Sequence, residues 1–517
     1  MPETVRNVLF IIADQWRGDT LGAVGHPAVK TPHLDALAGD GVLFANHYSQ
    51  ASPCGPSRAS ILTGRYMHNH RQVGNGTPLD ARFTNLALEV GKAGYEAALF
   101  GYTDTPLDPG GAAAGGSERR DRICPGFTPV APFLFANGLA EWMAHLQSKG
   151  YDRPERPVDM FRPAPDFAPP AGRIDAFPPS RVKAEDSDTA FLTDAALRYI
   201  TENGAGPWFV HYCCLRPHPP LYAPAPYDTL YEPATLPLPD RPASPDDMRE
   251  QHPWLAWAID DQGLREYFHR SLTAGEIRAE DDRRMRAAYY GNCSEVDANI
   301  GRLIAHLKES GAYDDTLILF CSDHGDQLGD NWLYGRRGCF AGHFHVPCII
   351  RDPRRAADAT RGHTVSAFTE SVDLMPTILE ALGLETPAGC DGHSLIPFLH
   401  GAPPAAWRDA AHWAFDFRDP AGRTAEDALG LSSADCHLMA IRDTQYQYVH
   451  FAAMPPMFFD LAADPVASRN LADDPAYASL VLRYAQKMLT WRLRHEDPGL
   501  TMLHQPYGGP LQPAPAG

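Results

Sequence analysis

Three short apolar segments constrain the fold of this chain most strongly. Residues 7–12, 96–101 and 316–321 are apolar at most positions and lack the alternation of a strand that has one face in water. Runs of this kind are typical of strands that are buried on both faces, as in a parallel sheet with helices on either side. The sequence therefore predicts an α/β fold built on a large, mostly parallel sheet that is sandwiched by helices.

The segments between these strands carry the signals of helices and of long loops. Residues 283–310 have apolar side chains at helical spacing, which predicts a crossover helix against the sheet. Residues 372–382 predict another helix, and residues 347–351 predict a further strand. Residues 105–185 and 221–282 are rich in proline. We interpret the first of these as an insertion that carries substrate-facing loops.

The character of the chain changes after about residue 405. Residues 438–451 contain two segments of period two on either side of Asp443, which predicts an antiparallel hairpin. Residues 476–496 predict an amphipathic helix. We therefore expect a catalytic α/β domain at residues 1–405. A smaller subdomain at 406–517 would combine an antiparallel sheet, a helix and a tail rich in proline and glycine.

Composition and charge exclude several classes of protein. The 517 residues carry a formal net charge of −19, which argues against nucleic acid or an anionic membrane as the main partner. No apolar run is long enough to span a bilayer, and the first run, residues 8–12, is too short for a signal peptide. We therefore expect a cytoplasmic protein. The ten cysteines contain no CxxC pair, so we expect no disulfide framework.

Polar side chains occur within a few residues of the ends of the three apolar segments. Asp14 and Gln15 follow the first, Asp104 follows the second, and Asp323 and His324 follow the third. Because the carboxyl ends of parallel strands meet at one edge of a sheet, these groups can converge there. Carboxylate, amide and imidazole ligands suit a divalent cation. Each pair alone is also ordinary turn chemistry, so the prediction of a metal site depends on their combination.

A stretch from residue 52 to residue 60 carries a second set of reactive groups. Its prolines and glycine predict a loop that leads into a helix, with Ser57 as the cap and Arg58 in the first turn. Cys54 then lies at a helix N-terminus beside a cation, in a field that favours a thiolate or another anion. The alternative is that Cys54 is a buried structural cysteine.

A histidine on a stiff loop is a third candidate. Residues 208–215 predict another strand, and His218 follows it between prolines that restrict the backbone. A surface histidine would give the same pattern.

Together these residues resemble one family. Cys54-Gly55-Pro56-Ser57-Arg58 is similar to the C-x-P-S-R signature of the type I sulfatases of the alkaline phosphatase superfamily, and the segments that end in Asp14-Gln15 and Asp323-His324 resemble their two metal-binding strands. Further stretches resemble the phosphonate monoester hydrolases and related arylsulfatases more narrowly. These stretches are Asn69-His70-Arg71 with Asn75, Gly101-Tyr102-Thr103, Arg216-Pro217-His218-Pro219-Pro220, and Tyr448-Val449-His450-Phe451 with Phe458-Phe459-Asp460-Leu461.

The resemblance implies an alkaline-phosphatase-like fold and a hydrolase of sulfate esters, phosphonate monoesters or phosphodiesters. A maturation enzyme would oxidise Cys54 to formylglycine, and one hydroxyl of its hydrate would attack sulfur or phosphorus of a small anionic ester. The second hydroxyl would let the hemiacetal-type intermediate collapse and release sulfate or phosphonate. One divalent ion (Ca, Mn, Mg or Zn) would be held by Asp14, Gln15, Cys54, Asp323 and His324.

The resemblance also implies roles for residues around the substrate. Arg58 would orient the diol and offset its charge, and His218 would act near the leaving group as an acid or a charge stabiliser. Asn75 and Tyr102 would contact the substrate oxygens. The relatives further suggest a homo-oligomer, with a tetramer that uses the C-terminal tail as one form.

Three features depart from the family pattern. Most arylsulfatases have a Gly-Lys-x-His segment where this chain has Gly101-Tyr102-Thr103-Asp104, and this difference favours the phosphonate hydrolases. The phosphonate hydrolases have a threonine where this chain has Asp104. A carboxylate there would repel an anionic substrate unless it is protonated, turned away or bound to metal. Arg336 stands where the relatives have a lysine, and it adds a fork for sulfonyl oxygens. His343 and His345 follow shortly after, either as pocket residues or as structural histidines.

Two other functions stay open at this point. Asp104 as an additional ligand would suit a two-metal phosphatase or phosphomutase of the same superfamily. Against this, the sequence shows no second Asp/His/His set at strand ends, and such an enzyme is expected to use Ser or Thr as nucleophile. A non-catalytic binding protein is disfavoured because the nucleophile, the arginine and the metal ligands are all present.

Overall fold

The computed structural model of the protein describes residues 4–106, 108–110, 123–135, 139–163, 178–204, 206–268, 271–499, 503–504 and 512–513. Its strands, in chain order, are β1 (Asn7–Ala13), β2 (Val42–Tyr48), β3 (Ala51–Ser52), β4 (Ala97–Gly101), β5 (Phe127–Pro132), β6 (Phe209–Cys214), β7 (Thr316–Ser322), β8 (Cys348–Arg351), β9 (His363–Glu370), β10 (Ala411–Asp416), β11 (His437–Arg442), β12 (Tyr446–Phe451), β13 (Met457–Asp460), β14 (Leu503–His504) and β15 (Gln512–Pro513).

The helices alternate with these strands over most of the chain. They are α1 (Pro32–Gly39), α2 (Cys54–Thr63), α3 (Met67–His70), α4 (Leu86–Lys92), α5 (Ala140–Ser148), α6 (Asp188–Asn203), α7 (Pro245–Arg249), α8 (Pro253–Asp260), α9 (Leu264–Phe268), α10 (Ala279–Glu309), α11 (Ala341–Phe344), α12 (Leu374–Ala381), α13 (Ile396–Leu399), α14 (Thr424–Leu429) and α15 (Ala478–Arg494). None of the described helices is long and apolar enough to cross a membrane.

Eight strands form the central sheet, in the order β5-β4-β6-β1-β7-β8-β2-β9. The neighbours are parallel except at β8, which is antiparallel to both β7 and β2. This sheet confirms the predicted fold class. Strand β5 extends one edge from within residues 105–185, where the sequence predicts only loops.

Both faces of the central sheet are covered by helices, which explains why its strands are apolar at nearly every position. In β1, Leu9 and Ile11 pack into one core with α6 and α10. Val8, Phe10 and Ile12 of the same strand pack into a second core with α2, α4 and α12. Helix α10 is the predicted crossover helix, and it begins four residues earlier than the sequence indicates.

A second sheet, in the order β13-β12-β11-β10-β3, confirms the predicted antiparallel sheet and hairpin. Helix α15 covers it through Tyr484 and Met488. Strand β3 joins this sheet by pairing in parallel with β10, so the second sheet extends to the residues just before Cys54. The boundary at residue 405 stays a prediction. The predicted tail lies outside the described residues apart from residues 512–513.

Helix α2 begins earlier than the sequence predicts. Its first residue is Cys54 and its N-cap is Pro53, so the prediction of Ser57 as the cap is wrong. Prolines are compatible with this start, because the first-turn N–H groups of a helix have no acceptor within it. The Ser57 hydroxyl instead donates to the Asp323 carbonyl oxygen at 2.5 Å. Cys54 therefore sits at the N-terminus of the helix, against the edge of the central sheet.

Candidate active site

The acidic ends of two neighbouring strands meet at one edge of the central sheet. Strands β1 and β7 are parallel, with Ala13 opposite Ser322. Asp14 and Asp323 are the next residues in register, so their side chains emerge side by side. The N-terminus of α2 brings Cys54 to the same edge. The structure thus brings together groups that the sequence places far apart.

Four potential metal ligands converge at this edge. One ligand atom each from Asp14, Cys54, Asp323 and His324 lies within 4.8 Å of the others, and all four residues are buried. The Cys54 sulfur is 3.3 Å from His324 Nε2 and 3.8 Å from Asp14 Oδ1. Within the described ranges this is the one group of its kind. Two carboxylates, an imidazole and the Cys54 position form a donor set for one divalent cation.

A buried arginine holds the two carboxylates together. Arg58 Nη2 lies 3.0 Å from Asp14 Oδ2 and 2.9 Å from Asp323 Oδ2, and Arg58 Nε donates to the same Asp323 oxygen at 3.0 Å. One guanidinium therefore faces two carboxylates. Asp14 Oδ1 is left facing His324 Nε2 at 3.8 Å, and acceptors turned towards each other in a buried site fit a bound cation.

His324 presents one nitrogen atom to this cluster. Its Nδ1 donates to the Gly325 carbonyl oxygen at 2.9 Å. Nε2 therefore carries the free lone pair, and it lies 3.8 Å from Asp14 Oδ1. Metal-ligating histidines are usually oriented by a hydrogen bond of this kind from the other ring nitrogen.

Gln15 has a left-handed backbone conformation (φ 66°) that is rare for residues other than glycine. Its backbone N–H donates to Asp323 Oδ1 at 3.1 Å. Its amide nitrogen lies 2.6 Å from both Asp326 Oδ2 and the Tyr267 hydroxyl. These partners hold the amide nitrogen, and the role of the amide oxygen as a metal ligand stays a prediction. Asp326 and Tyr267 were not assigned roles from sequence, and only the Asp-His-Gly-Asp spacing gave a signal for the first.

The electrostatic field at Cys54 differs from the predicted one. Burial raises the pKa of the thiol well above its ordinary value, Asp14 raises it further, and Arg336 lowers it. Arg58, the cation expected to favour a thiolate, is matched by two carboxylates instead. The prediction of a thiolate-favouring field is therefore wrong for the unmodified cysteine. An anion at this position requires an additional positive charge.

Arg336 and His218 face Cys54 from the other side. Arg336 Nη1 donates to Cys54 Sγ at 3.2 Å and to His218 Nε2 at 3.2 Å. His218 Nδ1 donates to the Pro219 carbonyl oxygen at 2.7 Å, which leaves Nε2 as the acceptor. Burial lowers the pKa of His218 to about 4, so the imidazole is neutral near pH 7. Arg336 therefore contacts both Cys54 and His218, and the roles of Arg336 and His218 towards a substrate stay predictions.

Tyr102 lies against the same cluster. Its hydroxyl donates to Asp14 Oδ2 at 2.5 Å, and the Arg58 guanidinium lies 4.2 Å from its ring centroid. The sequence does not predict these contacts. The role of Tyr102 in contacting substrate oxygens stays a prediction.

A cleft of about 660 Å³ lies beside the start of α2 and is lined there by Pro53, the residue before Cys54. Asn75 lines it and accepts a hydrogen bond from the Gly55 backbone N–H at 2.8 Å. Arg336 also lines this cleft. The other lining residues include Trp257 of α8, Arg337 beside Arg336, Phe415 of β10, and Phe417, Arg418 and Asp419 directly after β10.

The remaining predicted residues divide between the site and the scaffold. Asp104 is close enough to Cys54 for its charge to raise the pKa of the thiol. His343 Nε2 lies 2.8 Å from the Ser52 hydroxyl beneath the site. His345 Nε2 donates to the Ala45 carbonyl oxygen at 2.7 Å. Both histidines therefore make scaffold contacts.

The family model described as Sulfatase matches residues 6–384, and that of the C-terminal region of N-sulphoglucosamine sulphohydrolase matches residues 329–494. The chain belongs to the sulfatase family. Members of this family generally use a divalent metal and a formylglycine residue. The buried cluster described above has the donor set for such a metal.

Three individual proteins are similar to this chain over nearly its whole length. The multifunctional alkaline phosphatase superfamily protein PehA of Trinickia caryophylli is 44% identical over 511 residues, which cover 96% of this chain and 97% of PehA. The crystal structure of phosphonate monoester hydrolase of Agrobacterium radiobacter superimposes with a TM-score of 0.92 at 41% identity, over 99% of this chain and 100% of that one. An arylsulfatase of Clostridium perfringens is 27% identical, over 96% of both chains.

These similarities confirm the predicted family and the predicted class of enzyme, a hydrolase of sulfuric or phosphonic esters.

Proposed function

We propose that this protein hydrolyses sulfate monoesters, phosphonate monoesters and phosphodiesters with a formylglycine formed from Cys54. The observation that carries the proposal is the place of Cys54, at the N-terminus of α2 within 4.8 Å of the ligand atoms of Asp14, Asp323 and His324. The similarity to a phosphonate monoester hydrolase and to an arylsulfatase supports the phosphonate and sulfate esters in this range.

Asp14, Gln15, Asp323, His324 and an oxygen of the modified Cys54 would hold one divalent cation. The cation would lower the pKa of a bound hydroxyl group and polarise the ester. The convergence of ligand atoms from Asp14, Asp323, His324 and Cys54 supports this assignment. A donor set of this composition suits Ca, Mg or Mn, and also Zn.

Arg58 and Arg336 would have different tasks. Arg58 is occupied by two carboxylates and would keep these ligands in place. The described residues give Arg336 no ion pair with a carboxylate, and its guanidinium contacts Cys54. Arg336 would therefore bind the non-bridging oxygens of the ester, where its planar fork can form two hydrogen bonds.

His218 would assist departure of the alcohol. Its Nε2 accepts a hydrogen bond from Arg336, which also contacts Cys54, and its Nδ1 donates to a backbone carbonyl oxygen. The ring is neutral at rest because burial lowers its pKa to about 4. An anionic substrate beside it would favour the protonated form, which can donate to the leaving oxygen. Asn75 and Tyr102 would complete the contacts to the substrate.

Mass spectrometry of the peptide that contains Cys54 tests the proposal directly. After co-expression with a formylglycine-generating enzyme, we expect an aldehyde oxygen in place of the thiol sulfur, whereas the peptide with Cys293 keeps its thiol. Rates on a sulfate monoester and a phosphonate monoester, measured side by side on the same preparation, then define the preferred ester. An unmodified Cys54 in active enzyme would contradict the proposal. The maturation enzyme, the homo-oligomer and the cytoplasmic location stay predictions.

A further inference from the structure

A buried arginine, Arg216, contacts the backbone of the loop that carries His218. Arg216 has only 3% of its surface exposed. Its Nη1 donates to the Pro220 carbonyl oxygen at 2.7 Å and lies 3.4 Å from the carbonyl oxygen of His218. These carbonyls flank the Pro219 carbonyl, which accepts the hydrogen bond from His218 Nδ1. The Arg216 side chain thus contacts the backbone carbonyls before and after the Pro219 carbonyl, which orients the His218 imidazole.

The same arginine is attached to the scaffold on its other side. Arg216 Nε lies 3.7 Å from Oδ1 of Asp188, the first residue of α6. Its guanidinium lies 4.6 Å from the ring centroid of Phe161. Ser187 caps α6 and donates to Glu295 of α10 at 2.6 Å, which connects this helix start to the long helix behind it. The anchor is therefore made of elements that pack on the central sheet.

We propose that Arg216 is a positioning residue, which holds the 218–220 backbone so that His218 Nε2 faces Arg336 and Cys54. The inference rests on the proposed role of His218 at the leaving group. Arg216 lies behind the loop and acts through it, without contact to the reacting atoms. A shift of the loop would turn the imidazole away while the predicted metal ligands keep their places.

Lysine is the informative replacement for Arg216. Arg216 lies 3.7 Å from Asp188, and although burial raises the pKa of Glu295, the charge of Arg216 lowers it. A neutral side chain would remove this cation from both buried carboxylates, which destabilises the fold. One oxygen of each of these carboxylates already has no hydrogen-bond partner in the described part of the chain. Lysine keeps the charge but lacks the planar fork that contacts a carboxylate and two carbonyls together.

A double-mutant cycle with Arg216→Lys and His218→Asn tests the inference on formylglycine-containing holoenzyme, with an ester whose alcohol is a poor leaving group. Arg216→Lys should lower kcat on the order of 10- to 100-fold, since small misplacements of a reacting group have effects of this size. In the His218→Asn background the same change should lower kcat by less than about twofold, because the two residues act as one unit. Bound metal should be unchanged.

Arg181→Lys is the matched control. Arg181 also donates to two backbone carbonyls, those of Arg162 and Pro163, but not to those of the His218 loop. Its replacement should leave kcat unchanged. If Arg216→Lys does not fold, Asp188→Asn replaces it in the cycle and should show the same non-additivity with a smaller loss.

Equal losses of kcat in both backgrounds, or no loss in either, would overturn the inference. If His218→Asn alone leaves kcat unchanged while Cys54→Ala abolishes turnover, the role of His218 and this inference both fail, and the formylglycine function stands. Retained activity in Cys54→Ala would instead overturn the proposed function.

Discussion

Two buried clusters in this molecule have the same plan, in which one arginine is shared by two carboxylates. The catalytic cluster is Arg58 with Asp14 and Asp323, and the Arg408 cluster is Arg408 with Glu370 and Asp373. All four carboxylates are almost completely buried. The clusters lie towards opposite ends of α2, because Tyr66, three residues beyond that helix, donates to Glu370 at 2.5 Å.

The clusters differ in what else surrounds their carboxylates. In the Arg408 cluster, Glu370 also accepts hydrogen bonds from the Tyr66 hydroxyl and the His412 backbone, and Asp373 accepts from the His393 backbone. In the catalytic cluster, Asp14 Oδ2 accepts from Tyr102 and Asp323 Oδ1 accepts from the Gln15 backbone, but Asp14 Oδ1 faces Cys54 and the lone pair of His324 Nε2. Acceptors turned towards each other in a buried site are costly without a cation between them. An arginine shared by two carboxylates therefore occurs in buried ion pairs of either kind. The acceptors that converge without a donor between them are what indicate a metal site.

The largest expected effect on activity comes from replacing Cys54, the proposed nucleophile beside the catalytic cluster. Cys54→Ala should lower kcat by at least about 10⁴-fold, as loss of a nucleophile does in other hydrolases. Most of the bound metal should remain, because the other ligands are unchanged. Initial rates and elemental analysis of the purified protein check both points. Cys293→Ala, at a buried cysteine of α10, is the control and should keep full activity. Loss of the fold in Cys54→Ala would show that this cysteine is structural.

Matched carboxylate replacements should separate a metal site from a structural pair. Asp323→Asn should lower bound metal and reduce kcat/KM on the order of 100-fold or more, since it removes a charged ligand. Asp373→Asn should leave bound metal unchanged but reduce the free energy of unfolding by about 3 kcal/mol, the scale for a broken buried ion pair. Metal content, steady-state kinetics and urea unfolding of both variants make the comparison. Similar metal loss in both variants would contradict it.

The sequence predicts those strands, helices and site residues that have a recognisable pattern within a short stretch of the chain. The apolar runs of β1 and β7 and the polar residues that follow them were sufficient to place Asp14 and Asp323 at one sheet edge. The Cys54 signature gave the family. The start of α2 was placed too late because Ser57 is a good cap in isolation, whereas its hydroxyl is used by Asp323 in the folded protein.

Long-range contacts account for what the sequence did not predict. Tyr267 contacts Gln15 across 252 residues and lies in a proline-rich segment without a motif. The pKa of Cys54 depends on burial and on three carboxylates from separate elements. Strand β3 has only two residues, and it is defined by its partner β10. None of these features has a local pattern in the sequence.

The Arg408 cluster predicts a dependence of stability on pH. Burial raises the pKa of Glu370, but Arg408 and its hydrogen-bond donors outweigh this effect and lower it from 4.5 to about 2. A carboxylate with a lowered pKa stabilises the fold above its unfolded-state pKa, and this stabilisation is lost as the pH falls through the folded-state pKa. The shift corresponds to roughly 3 kcal/mol.

Urea unfolding of the wild type and of Glu370→Gln at several pH values tests this dependence. The wild type should be more stable by roughly that amount above pH 5, and the difference should shrink as the pH approaches 2. If the free energies of unfolding of the wild type and of Glu370→Gln change with pH in parallel, a group other than Glu370 controls the loss of stability in acid.

The smallest expected effects concern two tyrosines, Tyr267 near the catalytic cluster and Tyr66 beside the Arg408 cluster. The Tyr267 hydroxyl donates to Asp326 at 2.8 Å and lies against the Gln15 amide nitrogen, whereas the Tyr66 hydroxyl donates to Glu370. Tyr267→Phe should weaken metal affinity by about tenfold, because it loosens the residues that orient a ligand. Tyr66→Phe should leave metal affinity unchanged and lower the free energy of unfolding by about 1 kcal/mol. Metal titrations and urea unfolding of both variants measure these changes. If Tyr267→Phe changes only stability, then Gln15 does not depend on this tyrosine for its orientation, and the two clusters differ less than their contacts indicate.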